Sequence, residues 1–384
     1  MPYATGRTYL DADSHLMERP DFLRDFADPK VREQLPPLDG TAQDKNDTDW
    51  EALLSRPGHT DDDVQRMMAL GNELIAGPKG YLALGAFNGS ERRQALDQLG
   101  FAKQLVFSTF SSLQALQGDD IDLMYGAAAA HNRAMHAFCV DDERLLGVGI
   151  LPLDDPRRAV TELEHLLKLD MRAAWVAHRD CGGRSPGHND LDPVWARLAE
   201  AGVPFVLHVG GYPLQIDPVW MNTGRPVPRD WMGGGENIRG KDMLGLHHQA
   251  ELFLGSMIFD GVFERHRALR GGAIELGAGW VPGWLERLDW AAQIWRKEAE
   301  LAALTRTPTE TAIEHLAFTP YVYEDVGALI RLSDDRLYLF SSDYPHFEGS
   351  KNPIERFERF LDQAEIGELS RKRFYEDNFR RLWP

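Results

Sequence analysis

The sequence is poor in cysteine, with only Cys139 and Cys181 among 384 residues. That excludes a disulfide framework and points to a reducing compartment. It has no apolar run long enough to cross a bilayer. Residues Met1 to Leu10 hold no apolar stretch resembling a secretory leader, so a cytoplasmic protein is expected. Basic residues are scarce: 42 Lys and Arg face 60 Asp and Glu, a formal charge of −18. Nucleic acid and anionic membrane both demand a basic surface, so neither is expected as a partner. The acid surplus itself reads as solubilising charge. There is no internal repeat and no low-complexity tract.

What remains is ordinary globular material, 43% hydrophobic and 27% charged. A chain this long buries a large core without help from disulfides or a structural metal. Eight short apolar runs read as buried parallel strands: Tyr9 to His15, Gln104 to Thr109, Leu145 to Leu153, Ala173 to Ala177, Pro204 to Val209, Ala273 to Leu276, His315 to Thr319 and Arg336 to Ser341. Helical patterns separate them, at 119–141, 155–169, 192–200, 249–269, 281–304, 323–332 and 353–364. Asp192 reads as an N-cap, with Pro193 at the first helical position. This alternation predicts an α/β fold, a (β/α)8 TIM barrel forming one domain over residues 1–384. Two stretches break the pattern. An insertion of about 28–100 follows the first strand, and a lid loop of about 210–245, rich in Gly, Pro and Trp, follows the fifth. Both follow strands, which places them over the C-terminal mouth, where barrel enzymes keep their chemistry.

The first strand ends Asp11-Ala12-Asp13-Ser14-His15, with Glu18 just beyond. Residues two apart on a strand share a face. Asp13 and His15 therefore point the same way, as a carboxylate and imidazole suited to a divalent cation. Taken alone, the pair also fits a solvated N-terminal turn. His208 closes the otherwise apolar fifth strand, a functional position in a barrel, although buried histidines also serve as structural hydrogen-bonding groups. Asp343 follows the last apolar run and precedes Pro345. Its burial there demands a metal or a basic partner, so it reads as metal ligand and general base toward bound water. The competing reading is a helix N-cap, but no helical pattern begins before Pro353.

Together the segments DADSHLME, VLHVGG, IELGAGWVPGWLERLDW and LFSSDYPHFEG resemble the amidohydrolase superfamily. The resemblance is to the branch that includes aminocarboxymuconate-semialdehyde decarboxylase and γ-resorcylate decarboxylase, and it runs from Tyr9 to the closing helix at Phe374 to Trp383. It implies a metal centre of Asp13, His15, His208 and Asp343. Glu18 would be either a further ligand or a group orienting His15. The fourth strand ends without the bridging lysine of binuclear members, which implies one divalent ion, zinc or manganese. Glu275 stands where the family's decarboxylases carry a histidine, so catalysis would fall to Asp343, Glu275 and His208.

Substrate-binding candidates are His178 and Arg179 after the fourth strand, His346 beside Asp343, and His248 after the lid. Arg179 and Arg184 suit a substrate carboxylate, though either also reads as a surface charge. Trp220, Trp231, Met232 and Met243 are candidates for an apolar wall, while Trp284, Trp290 and Trp295 read as packing. The favoured activity is a metal-dependent hydrolase acting on a small aromatic or cyclic carboxylate, with a metal-activated water attacking a carbonyl. The alternative is a metal-dependent non-oxidative decarboxylase. A metal-free binding barrel is the third reading. A small-molecule substrate and a homo-oligomer, dimer or tetramer, are expected.

Overall fold

The computed structural model describes residues 1–38, 48–212, 217–225 and 240–383. Trp231 and Met232 of the expected lid lie outside the described residues. Seven parallel strands are hydrogen-bonded in sequence order: Leu10–Leu16 (β1), Lys103–Ser108 (β2), Leu145–Ile150 (β3), Ala173–Trp175 (β4), Phe205–His208 (β5), Gly271–Ile274 (β6) and Leu316–Phe318 (β7). Every residue of β1 and β3 is buried. Covered parallel strands are buried on both faces, because helices pack outside and side chains fill the interior; β3 is apolar throughout, whereas β1 buries Asp11, Asp13, Ser14 and His15.

The eighth expected run, Arg336 to Ser341, forms no regular strand, but its backbone still closes the ring. Phe318 N donates to Leu337 O at 2.8 Å and Leu339 N to Phe318 O at 3.0 Å. On the other side Ala12 N donates to Phe340 O at 3.0 Å, and His15 N to Tyr344 O at 2.8 Å. The ladder is irregular for two local reasons. Pairing in β1 shifts between Asp11 and Ser14, and Asp343 has a left-handed φ of 52°. Both irregularities fall at the mouth, where they re-aim side chains.

Several helices begin at a side-chain cap. Asp120 caps Ile121–Cys139, Asp155 caps Pro156–Lys168, and Thr307 with Glu310 forms a capping box. Asp192 does not cap. It lies inside the helix Asp192–Ala201 and accepts from Arg265 and His266 at 3.0 Å each. Two long expected helices are interrupted. The first divides into His248–Phe259 and Val262–Arg265 at Gly261, whose φ of 68° ends a helix at little steric cost. The second stops at Ile294. The insertion between β1 and β2 is more ordered than a loop, with short helices that include Asp61–Met68 and Gly89–Leu99. Trp284 is core, as expected, but Trp290 and Trp295 are exposed on the helix Val281–Ile294 and just past its end.

Candidate metal centre

Asp13 and His15 leave β1 on one face, as the period-two argument requires, and His208 reaches them from the end of β5. The Asp13 Oδ1 atom lies 3.2 Å from His15 Nε2 and 3.3 Å from His208 Nε2. Glu275, one residue past β6, brings Oε2 to 3.2 Å from His208 Nε2 and 3.7 Å from His15 Nε2. Asp343 Oδ1 is 3.5 Å from His15 Nε2 and 3.0 Å from His346 Nδ1. These residues form two overlapping groups with donor atoms within 4.8 Å of one another. Asp13, His15, His208 and Glu275 make one; His15, Glu275, Asp343 and His346 make the other. The sequence reading placed Glu275 outside the ligand set, yet it belongs to both groups. Its left-handed φ of 53°, fixed by a bond from Glu275 N to Thr319 Oγ1 at 2.8 Å, turns the side chain inward.

The surroundings fix how each ring presents itself. His208 Nδ1 lies 2.7 Å from the Val209 carbonyl, which can only accept. The proton therefore sits on Nδ1, and Nε2 offers its lone pair to the cluster. Phe107 stacks on the His208 ring at 4.2 Å, and His346 stacks on His15 at 3.9 Å. His346 Nε2 is 3.0 Å from Thr109 Oγ1.

Burial lowers the His15 pKa to about 3, helped by the charge of His346 and opposed by Asp13. For Asp13, burial alone raises the pKa, but His208 and His15 outweigh it and hold the carboxyl below its usual range. Burial pushes Asp343 up to about 6, with His346 pulling the other way. Asp11, on the same strand, is pushed up to about 7 by burial, although Ser342 and Gln104 donate to it.

The donor set fits a divalent cation. Both ring nitrogens of His15 and both carboxylate oxygens of Asp343 are buried without a well-angled hydrogen bond, and their close polar contacts are ion-pair contacts within the cluster. Three carboxylates and three imidazoles lie in these two overlapping buried groups, which share His15 and Glu275. Packing like charges together in the dark of a core is unfavourable unless a cation or protons neutralise them.

Several expected site residues go elsewhere. All side-chain hydrogen bonds of Glu18 run to the turn after β2: Thr109 N at 2.9 Å, Phe110 N at 2.8 Å, and Ser111 N and Oγ at 2.7 Å. It anchors that turn and joins neither donor group. Arg179 is clamped by Asp154 at 2.8 and 3.0 Å and donates to Leu116 O, so it does not reach for substrate. Arg184 pairs with Asp190 at 3.0 Å. His248 is exposed, and its neighbour His247 faces the cavity instead. His178 is buried with Nδ1 unpartnered, near Tyr212 and Gly211, and burial lowers its pKa to about 4.

A cavity of about 770 Å³ opens from Glu275, within the usual size of a small-molecule site. Trp280, Tyr321 and Phe347 line it, together with the expected Met243. The sequence reading missed the first three. Tyr321 was findable, because it follows β7 closely on the catalytic side. Lys79 was not: a lysine in an insertion looks solvated. Here it is buried, donates to Ser350 O at 3.1 Å and lies 5.6 Å from the Tyr344 ring, with its pKa lowered by burial to about 8.

The family model described as amidohydrolase matches residues 91–384. The chain belongs to the amidohydrolase family. It is an enzyme of that superfamily. This amidohydrolase is 25% identical to the crystal structure of an amidohydrolase from Mycobacterium avium subsp. paratuberculosis K-10, with a TM-score of 0.75 over 99% of this chain and 100% of that one. A 2,6-dihydroxybenzoate decarboxylase from Rhizobium is 17% identical, with a TM-score of 0.62 over 98% and 99% of the two chains. A dihydroxybenzoic acid decarboxylase from Polaromonas sp. JS666, solved with manganese and the inhibitor 2-nitroresorcinol, is 19% identical, with a TM-score of 0.61 over 98% and 97%. No curated protein matches the amidohydrolase in sequence. No helix among its described residues is long and apolar enough to cross a membrane.

Proposed function

We propose that this amidohydrolase is a metal-dependent non-oxidative decarboxylase of an aromatic or cyclic carboxylate. The observation that carries the reading is the three carboxylates around His15, at 3.2, 3.7 and 3.5 Å from its Nε2. Asp13, Glu275 and Asp343 bring three negative charges against the two positive charges of a divalent ion. Such an over-neutralised centre is a weak activator of water, because ionising a bound water would add a further negative charge. It favours keeping one carboxyl protonated, which is what decarboxylation needs: an acid beside the reacting carbon. This reverses the order of the two activities drawn from the sequence. The decarboxylases of similar fold support the reversal.

A bound divalent cation would hold the substrate carboxylate and polarise it. Asp13, His15 and His208 are the residues that would retain that cation. Manganese is proposed ahead of zinc because the mixed carboxylate and imidazole donors suit either ion and the Polaromonas decarboxylase carries manganese. Asp343, buried beside His346, holds the proton. In the step itself the bond between ring carbon and carboxyl breaks, carbon dioxide leaves, and the electron pair left on carbon takes the Asp343 proton. His346, 3.0 Å away and tied to Thr109, orients that carboxyl and sits where it can help to reprotonate it.

Hydrolysis is kept as the second reading because the 25% identical Mycobacterium structure is described as an amidohydrolase. The two separate by product. Manganese-loaded enzyme is screened against aromatic carboxylates and their esters and amides, with carbon dioxide release and carbonyl hydrolysis followed in parallel. Carbon dioxide in step with substrate loss, and its reduction by about 10²-fold or more in Asp343→Asn, is the expected result. Hydrolysis without carbon dioxide would overturn the proposal.

A further inference from the structure

Two features separate the metal centre from the space beyond it. The arginines suited to a substrate carboxylate are engaged elsewhere: Arg179 with Asp154, and Arg184 with Asp190. The cavity at Glu275 is instead walled by Leu246, Trp280, Tyr321, Tyr323 and Phe347. Its charged lining among the described residues is Glu275, Glu324 and Glu348, with no lysine or arginine; the one imidazole in the lining, His247, is held by Glu251 at 3.2 Å. A second anionic group would therefore meet carboxylates.

The wall is built in advance. Glu324 accepts from Ala278 N at 2.9 Å and from Gly279 N and Tyr321 N at 2.7 Å, tying the loops after β6 and β7 together. Gly277 has a φ of 67°, and a Cβ there would stand 2.8 Å from the Tyr321 ring. Only glycine lets that ring pack against the loop. Tyr321 also donates to the Glu275 carbonyl at 2.8 Å, joining the wall to the metal centre. Tyr323 and Phe347 stay 65% and 43% exposed, an apolar surface that an occupant would cover. The cavity's 770 Å³ far exceeds the roughly 150 Å³ that accommodates a benzene ring.

We propose that the substrate carries a single carboxylate head on a large, uncharged, apolar body of more than one ring, and that the cavity walled by Trp280, Tyr321, Tyr323 and Phe347 selects that body. This deepens the preceding reading and rests on it for the place of the head at the metal centre. The body lies against the aromatic wall. Carboxylates at the rim exclude diacids and monocyclic acids carrying a second charge.

Binding to the manganese-loaded full chain is measured by calorimetry with benzoate, biphenyl-4-carboxylate and biphenyl-4,4′-dicarboxylate. The biphenyl monoacid is expected to bind at least about tenfold more tightly than benzoate, from burial of the second ring. The diacid is expected to bind no more tightly than benzoate. Trp280→Ala brings the biphenyl-to-benzoate ratio close to one. Tyr323→Ala, at an exposed residue outside the core, narrows the same ratio by a smaller factor. Equal affinity for benzoate and the monoacid, a diacid as tight as the monoacid, or a ratio untouched in both variants would overturn the proposal. The readout also stands apart from turnover. Selectivity retained with no carbon dioxide from any carboxylate would count against decarboxylation alone. Carbon dioxide release without selectivity would count against the cavity alone.

Discussion

Replacing Glu18 with glutamine tests whether this acid serves the metal or the scaffold. One oxygen of Glu18 accepts from Phe110 N, Ser111 N and Ser111 Oγ; the other accepts from Thr109 N. An amide keeps the first oxygen but sets its own NH2 against the second set of donors. A buried donor left without an acceptor costs about 1–3 kcal/mol. The three surviving bonds lose the charge of their acceptor, each weakening by about 1 kcal/mol at most. Burial raises the Glu18 pKa, so relief from burying a charge offsets part of this loss. The net is about 2–4 kcal/mol. With unfolding entropy scaled to this chain length, Tm falls by about 3–5 °C. Scanning calorimetry measures the shift, and elemental analysis of the same sample measures the metal. Metal content should stay at the wild-type level. Loss of metal with an unaltered Tm would refute the reasoning and return Glu18 to the ligand set.

Three more outcomes follow from the geometry. His208→Ala should lose the divalent ion, read by elemental analysis, while circular dichroism shows the barrel still folded; full metal retention would remove His208 from the centre. Arg179→Met breaks a largely buried two-bond ion pair with Asp154 and should destabilise the fold by about 3 kcal/mol without weakening substrate binding. A KM raised about tenfold at unaltered Tm would restore Arg179 to substrate binding. His131 lies far along the chain from the donor set, fully buried in the helix Ile121–Cys139, and burial lowers its pKa to about 4. The unfolded chain, with the ordinary value of 6.5, binds the proton first. The stability tied to neutral His131 is therefore complete above pH of about 6.5 and is lost as pH falls toward about 4, a change of about 3 kcal/mol. His131→Leu should flatten the acid side of the Tm profile over that window, and an identical slope in both proteins would contradict the assignment.

Much of the site was legible because short-range geometry governs it. A strand alternates its faces, so Asp13 and His15 had to point together. A polar residue ending an apolar barrel strand lands at the mouth, so His208 was readable too. Glu275 was visible as an acid at the right strand end, but its φ of 53° and hence its aim into the donor set were not. Glu18 misled for the converse reason. It sits three residues from His15 in sequence, and only the approach of the 109–111 turn claims its oxygens. Arg179 failed the same way, since Asp154 reaches it from another strand end.

By itself the sequence determined the strand and helix alternation, the parallel barrel and the family, because apolar periodicity and local motifs are written residue by residue. It also determined which strand ends carry acid and imidazole. The tertiary structure alone decided which of those groups share one point, which carboxylates are spent on backbone amides, and that an aromatic cavity stands beside Glu275. Those outcomes depend on segments far apart in the chain competing for the same donors and the same space, and no local pattern encodes that competition.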